Sequence, residues 1–496
     1  MECTGKRAQW LHKVRSSETF IVIVVSIAIF TIVPIVPIAL VDRAGARPED
    51  AQKWVSVLLA VYGASLLVGS PLFGWFADHS RARQLPFIVG LVALGASTLL
   101  FVVGRSLPAL IVARGLQGFS AAAVWVVGLA IVADNVPEDR VAEAMGQTTI
   151  ALTWGALLGP TIGGIMFEKF GYYATFAVPA GLILVDVALR FAMLERPGGS
   201  NDQAGKKITD DGNESACYGT FSSPEPGQSE CESSDEESLT ERRPLFRYSN
   251  PSIEAPRFHR ERQATIFDLL TSSRLPLAIL AAVMTSILFS ALETGQSLIL
   301  PAQTLPLFVM KTFNWSSSGA GLIFVVGALP SAGGVYIGKA INRTGARIPY
   351  IFCFLLAAVC WICLRFVERK RIFEIVLLVI LLFLQGFCIA AIEITATTEV
   401  SQAASKFEAR YPGAFGDTSP VGQSYGLFNM AFAGGQLIGP VLAGGIRVSA
   451  GWKMMTLVLG LLCVVAAVVL GSFSAPGVTE GGEEEEEEEE GDEEEA

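Results

Sequence analysis

The chain has 496 residues, of which 51% are hydrophobic and only 17% are charged. A soluble domain of that length rarely has so few charges, and the apolar residues come in blocks, which excludes an ordinary soluble enzyme or nucleic-acid-binding protein and points to a membrane protein. The net charge of −11 misleads, because most of it comes from the terminal run EGGEEEEEEEEGDEEEA at 480–496, a self-repelling stretch read as a solvated tail.

In chain order, a short segment at 1–18 precedes FIVIVVSIAIFTIVPIVPIAL at 20–40, which carries no charge. About twenty apolar residues suffice to cross a bilayer as a helix. Similar blocks recur near 54–76, 86–104, 107–133, 143–167, 172–194, 275–300, 317–341, 348–367, 373–398, 420–446 and 451–473, so twelve spans are expected. Between the sixth and seventh lies a stretch rich in Ser, Glu, Gly, Pro and Arg, such as SSPEPGQSECESSDEESLTERRP, with too little apolar content to pack. The segment IFDLLTSSRLP at 266–276 reads as a short amphipathic approach to span 7. The expected order is an N-terminal segment 1–18, a six-helix half 19–195, a linker 196–270, a second six-helix half 271–474 and an acidic tail 475–496. The basic residues Arg196, Lys206, Lys207, Arg257, Arg260 and Arg262 flank the linker and place it, with both chain ends, in the cytoplasm.

The second half repeats the first. LQGF occurs at 116–119 and 384–387, GWFADHSRAR at 74–83 matches GKAINRTGAR at 338–347, and the Gly-Pro at 159–160 matches that at 439–440. The three pairs fall in spans 2 and 8, 4 and 10, and 5 and 11, in the same order. Repeated halves with a site between them near the midplane are a transporter architecture. Within GALLGPTIGG, Gly155, Gly159, Pro160, Gly163 and Gly164 form a cluster that returns as Gly435, Gly439, Pro440 and Gly444. Glycines four apart let a neighbouring helix approach closely, and proline removes a backbone donor, which suits a helix at the interface between two rocking halves.

Two ionisable residues inside spans stand out. Arg114 lies in LIVARGLQGF of span 4, and Glu393 lies nearly ten residues from either edge of span 10. Such groups are costly in a bilayer and normally face a cavity or a partner. The counterpart of Glu393 in span 4 is Trp125, so the repeat does not require an acid there. Glu393 therefore reads as a group that alternates between a proton and a cationic substrate, or as half of a structural ion pair with Arg114. Glu293 in span 7 is a second candidate. The cysteines show no metal-ligand pairing, and neither a nucleophile constellation nor a phosphate-binding loop is present.

The chain resembles the major facilitator superfamily, in particular the twelve-span drug:proton antiporters that include the vesicular monoamine transporters and fungal relatives. GWFADHSRAR resembles the loop 2–3 motif, RGLQGFSAA at 114–122 the span 4 motif, GALLGPTIGG the span 5 antiporter signature, and YGLFNMAFAGGQLIGPVLAGG at 425–445 span 11 of the amine-transporter branch. The resemblance implies an all-α membrane protein with twelve helices in two pseudo-symmetric six-helix halves. It implies that Gly74, Asp78 and Arg83 form a gating clasp, with Asn342 and Arg343 in a weaker second copy made of hydrogen bonds. It ties Arg114 and Gln117 to proton coupling, and it places Glu393 where the monoamine transporters carry an acid. Two departures matter: span 1 has no acid, and Asn429 stands where the amine transporters have Asp. Both favour an organic substrate other than a monoamine, or single-proton exchange through Glu393.

The expected function is proton-coupled antiport of a small organic, cationic or amphipathic compound. The alternatives are a facilitator or symporter of a sugar, organic acid or nucleoside, and a non-transporting sensor or scaffold. The expected partners are a small-molecule substrate, protons and the lipid bilayer, with no nucleic acid, metal or cofactor. The expected unit is a monomer in the plasma membrane or a vacuolar or vesicular membrane.

Overall fold

A computed structural model describes residues 36–45, 47, 50–80, 83–192, 266–270, 274–293, 313, 325–367, 371–411, 415 and 419–473. The N-terminal segment, most of span 1, the linker up to 265 and the acidic tail lie outside the described residues, as do the side chain of Glu293 and the start of span 8.

The described elements are helices. They are α1 (Val36–Asp42), α2 (Ala51–His79), α3 (Gln84–Val103), α4 (Leu107–Asn135), α5 (Val141–Ala192), α6 (Ile266–Leu269), α7 (Arg274–Glu293), α8 (Gly334–Thr344), α9 (Arg347–Leu364), α10 (Ile372–Arg410) and α11 (Val421–Phe473). Short 3-10 turns precede α5 and α8. Eight of these helices are long and apolar enough to cross a membrane. α5 and α11 run for 52 and 53 residues, so each is too long for one crossing of a core about 30 Å thick. Each is broken by a single glycine, Gly171 (φ 78°, ψ −177°) and Gly451 (φ 83°, ψ 178°), a backbone region open essentially to glycine alone. The two breaks are 280 residues apart, the same offset as the Gly-Pro pairs. α5 thus holds spans 5 and 6, and α11 holds spans 11 and 12. Both helices pass through Pro160 and Pro440 without leaving helical geometry.

The residue after each break secures it. Tyr172 donates to the Phe101 carbonyl at 3.5 Å, and Trp452 donates through Nε1 to the Leu364 carbonyl at 3.1 Å. Arg43 lies over the Tyr172 ring at 4.2 Å, and Arg447 over the Trp452 ring at 5.4 Å. Each half therefore ties the turn between its last two spans to the end of its third span.

Matching apolar stripes also mark the repeat. Leu85, Val89, Val92, Leu99 and Val103 are exposed along one flank of α3, and Ile348, Phe352, Leu355 and Val359 along α9. A stripe of that size suits lipid tails rather than water. The opposite flanks bury Phe87, Leu91, Leu94 and Phe101 on α3, and Tyr350, Phe354, Ala357 and Trp361 on α9.

Candidate functional site

The two halves meet where α2 runs against α11 and α5 against α8. At the end of α2, Asp78 is almost fully buried. Its two carboxylate oxygens accept hydrogen bonds from the backbone N–H groups of Gly422 and Gln423, both at 2.8 Å. These are the first free donors of α11, where the helix dipole also favours negative charge. Arg83 donates to Asp78 at 3.0 Å and to the Ser419 carbonyl at 3.1 Å, and pairs with Asp134 of α4 at 2.6 Å. Glycine is needed for the approach: a Cβ on Gly74 would sit 2.6 Å from the Gly422 carbonyl oxygen, and one on Gly426 would sit 2.8 Å from that of Ser70. Further along this seam the Asn429 amide donates to Ser70 Oγ at 2.8 Å.

The second seam repeats the backbone geometry with different polar chemistry. A Cβ on Gly338 would strike the Ala142 carbonyl, and Gly334 and Gly146 face each other in the same way. Asn342 does not cap α5 as Asp78 caps α11. Its Nδ2 donates to the Asp139 carbonyl at 2.6 Å. A carboxylate would be disfavoured here, because Glu138, Asp139 and Glu143 crowd the start of α5. A hydrogen bond to a charged group contributes roughly 1.5–3 kcal/mol and a neutral one roughly 0.5–1.5 kcal/mol, so the first seam is the stronger. Arg343 is exposed, whereas Arg347 holds the place of Arg83 and donates to the Gly471 carbonyl at 2.9 Å inside its own half. Asp134, Ser70 and Arg347 are absent from the sequence-based site. Only Arg347 had a signal, its place in GKAINRTGAR.

Arg114 is buried in the first half. It donates to Gln117 at 3.2 Å, Gln117 donates to Thr98 at 3.0 Å, and the guanidinium lies 5.1 Å from the Phe101 ring centre. Among the described residues no ion pair joins it to Glu393. Glu393 lies on α10 in the second half, with Oε2 buried and without a hydrogen-bond partner among the described residues. Tyr425, next to Asn429 on the same face of α11, donates to the Thr397 carbonyl at 2.9 Å and reaches the Met145 sulfur of the first half at 3.8 Å.

The second glycine cluster packs within its own half. Gly435 and Gly439 press against α7 of their own half, where a Cβ would meet Ser286 and Ser290 Oγ and the carbonyls of Val283 (2.6 Å) and Ile287 (2.9 Å). They seat span 11 on span 7 rather than on the other half. Gly155, Gly159, Gly163 and Gly444 are buried, while Gly164 is exposed and faces open space. Pro160 and Pro440 are half-buried.

Comparison with known proteins agrees with this architecture. The family model of the Major Facilitator Superfamily matches residues 19–300 and 285–494. An MFS-type transporter of Schizosaccharomyces pombe is 31% identical over 468 residues, covering 93% of this chain and 96% of its own. The MFS-type transporter ppzB of Metarhizium rileyi is 27% identical over 486 residues, 95% of this chain and 97% of its own. The vesicular acetylcholine transporter of Rattus norvegicus is 23% identical over 430 residues, 86% of this chain and 67% of its own. Among solved structures, the human organic anion transporter MFSD10 superposes with a TM-score of 0.65 at 16% identity, over 93% of this chain and 99% of that one, which speaks to shared fold. With all-helical halves repeated along the chain, paired glycine seams between them and a family match over nearly its whole length, this integral, multi-pass membrane protein belongs to the major facilitator superfamily.

Proposed function

We propose that the chain is a proton-coupled antiporter that exports a small organic, cationic or amphipathic compound from the cytoplasm by alternating access. The observation that carries this reading is Glu393: a carboxyl inside the second half, with a buried oxygen that has no hydrogen-bond partner among the described residues, at a place where the repeat has Trp125. A carboxyl so placed is expensive unless it works, and proton relays are the commonest such work. The similarity to vesicular acetylcholine transporters supports an organic cation as cargo, in a vesicular or plasma membrane. The seam at Asp78 and Arg83 is the gate at the end from which the linker leaves, and that end faces the cytoplasm. Arg114 and Gln117 support the proton step from the first half, Asn429 belongs to the substrate path through its place on the α2–α11 seam beside Ser70, and Glu293 is a second acid in span 7. The transporter works as a monomer.

The test is transport of acetylcholine and a panel of labelled organic amines in vesicles holding the full-length protein under an imposed pH gradient. Glu393→Gln keeps the size and hydrogen-bonding capacity but removes the exchangeable proton. Uphill accumulation is expected to vanish while substrate–substrate exchange survives. Undiminished uphill transport by Glu393→Gln, with unchanged pH dependence, would overturn the reading. Gradient-independent equilibration by the wild-type protein would establish the facilitator instead.

A further inference from the structure

The end of the first half that lies opposite the linker gathers positive charge without an acid to answer it. Arg43 follows α1 and reaches the C-terminal end of α3, where its Nη1 donates to the Val102 carbonyl at 2.8 Å. That carbonyl is one of the last four, which a helix leaves without an internal partner, and a helix C-terminus favours a cation. Two tyrosines after the Gly171 break hold the guanidinium from the side. Its carbon lies 4.2 Å from the Tyr172 ring centre and 4.6 Å from that of Tyr173. Its Nη2 donates to the Tyr173 hydroxyl oxygen. Arg43 therefore joins the ends of spans 1 and 3 to the turn between spans 5 and 6.

A second cation converges on the same oxygen. Arg105 stands three residues beyond Val102, and it too interacts with the Tyr173 hydroxyl. Guanidinium groups only donate, so a phenol oxygen that receives both must turn its own hydrogen elsewhere. Tyr173 is 60% exposed, so that hydrogen can face outward. Asp50 and Glu168 are exposed at this end, and among the described residues neither pairs with Arg43 or Arg105. The end of α3 offsets roughly half a unit of positive charge, which leaves most of the charge of the two guanidiniums unanswered. Tyrosine and arginine are common at membrane interfaces as single anchors. Here three donors converge instead. Their complement is an anion with several oxygens, and phosphate suits the planar fork of arginine.

Depth and surroundings select the source of that phosphate. α3 is 20 residues long, about 30 Å at 1.5 Å per residue, which matches the hydrocarbon core of a bilayer. Its last residue, Val103, thus stands at the boundary of that core, and Arg105 stands at the level of the head groups. Leu99 and Val103, four apart on one face, are exposed along the last turns of α3 and continue the lipid-facing stripe from Val92. Apolar surface that runs up to a cluster of donors fits the two parts of a phospholipid, its chain and its phosphate. A soluble phosphate would use only the second. A zwitterionic head group would bring an ammonium up to two guanidiniums, so the fit is to a head group of net negative charge.

We propose that the first half binds an anionic phospholipid in the leaflet away from the linker, with its phosphate on Arg43, Arg105 and the Tyr173 hydroxyl and one chain along Val103, Leu99 and Val92. The lipid bridges the same three span ends that Arg43 joins. α3 packs on α4 and α5 of its own half, so the site lies on the lipid-facing side and not on the seams between the halves.

Photo-cross-linking tests the site in the full-length protein. The protein is placed in phosphatidylcholine nanodiscs holding a minor fraction of phosphatidylglycerol with a diazirine near the head-group end of one chain. Cross-linked residues are located by mass spectrometry. Labelling of α3 around Leu99 and Val103 is read against the α9 stripe at Phe352 and Val359, which reports bulk lipid. The α3-to-α9 ratio is expected to be several times higher with this probe than with a phosphatidylcholine probe of the same chains. It is expected to fall to the phosphatidylcholine value in Arg105→Gln and in Arg43→Gln/Arg105→Gln. Arg105→Lys should keep part of the enrichment, because the charge stays and the fork is lost. Arg105→Gln is the deciding variant, since Arg105 is exposed and its replacement leaves the fold intact. Equal ratios for the two probes, or an unchanged ratio in Arg105→Gln, overturn the site. Millimolar inorganic phosphate at constant ionic strength is expected to leave the enrichment in place. Its loss would show a site for soluble phosphate and overturn the lipid assignment.

Discussion

Asp78 and Asn342 stand at matching places in the two repeats and make opposite kinds of hydrogen bond. Asp78 accepts from the free N–H groups of α11, whereas Asn342 donates to a carbonyl before α5. Asp78→Asn keeps the size but loses the charge that both N–H groups and Arg83 answer. The closed seam is expected to lose about 3 kcal/mol, or about a hundredfold in its population. Pulsed EPR distances between labels at His79 and Arg410, both exposed at that end, should lengthen. Asn342→Asp should not strengthen the second seam. It removes the donor to Asp139 and adds a charge among acids, so the same labels should report loosening, and tightening would contradict the account of Asn342.

At the scale of elements, the glycines divide into three jobs that separate experimentally. Gly171 and Gly451 turn the chain between spans at positive φ, with open space where a Cβ would stand. Gly171→Ala and Gly451→Ala should each cost about 1–2 kcal/mol through backbone strain alone, read as a lower melting temperature with transport retained in what remains folded. Gly435 holds α11 on α7 within one half, so Gly435→Leu should lower the yield of folded protein in the membrane. Gly74 meets Gly422 across the halves, so Gly74→Ala should fold and insert normally but fail to close that seam. The separation is visible by comparing size-exclusion profiles with the EPR distances. Equal loss of folded protein in Gly74→Ala and Gly435→Leu would contradict the assignment of one to a moving seam and the other to a fixed one.

For the whole molecule, the charged and serine-rich linker sets a further expectation: deletion of about 200–255 should leave folded protein in the membrane fraction and transport largely intact, because that segment lacks apolar content to pack. The spans, the repeat and the family were legible in sequence because each rests on local order along the chain. Apolar runs of bilayer length, LQGF and Gly-Pro at matching offsets, and Asp78 with Arg83 beside a span end can all be read one segment at a time. Contact partners could not be read so. Helical periodicity shows that Gly435 and Gly439 share a face, but not that the face meets α7 rather than the other half. The sequence offered Arg114 and Glu393 as a pair because both are ionisable residues inside spans. Packing sends one to Gln117 in the first half and leaves the other on α10 in the second, with no ion pair between them among the described residues. Sequence by itself determined which segments cross the membrane and that they do so twice over. Only the tertiary structure decided which faces meet, because side chains remote in the chain become neighbours solely through how the helices rotate and slide against one another.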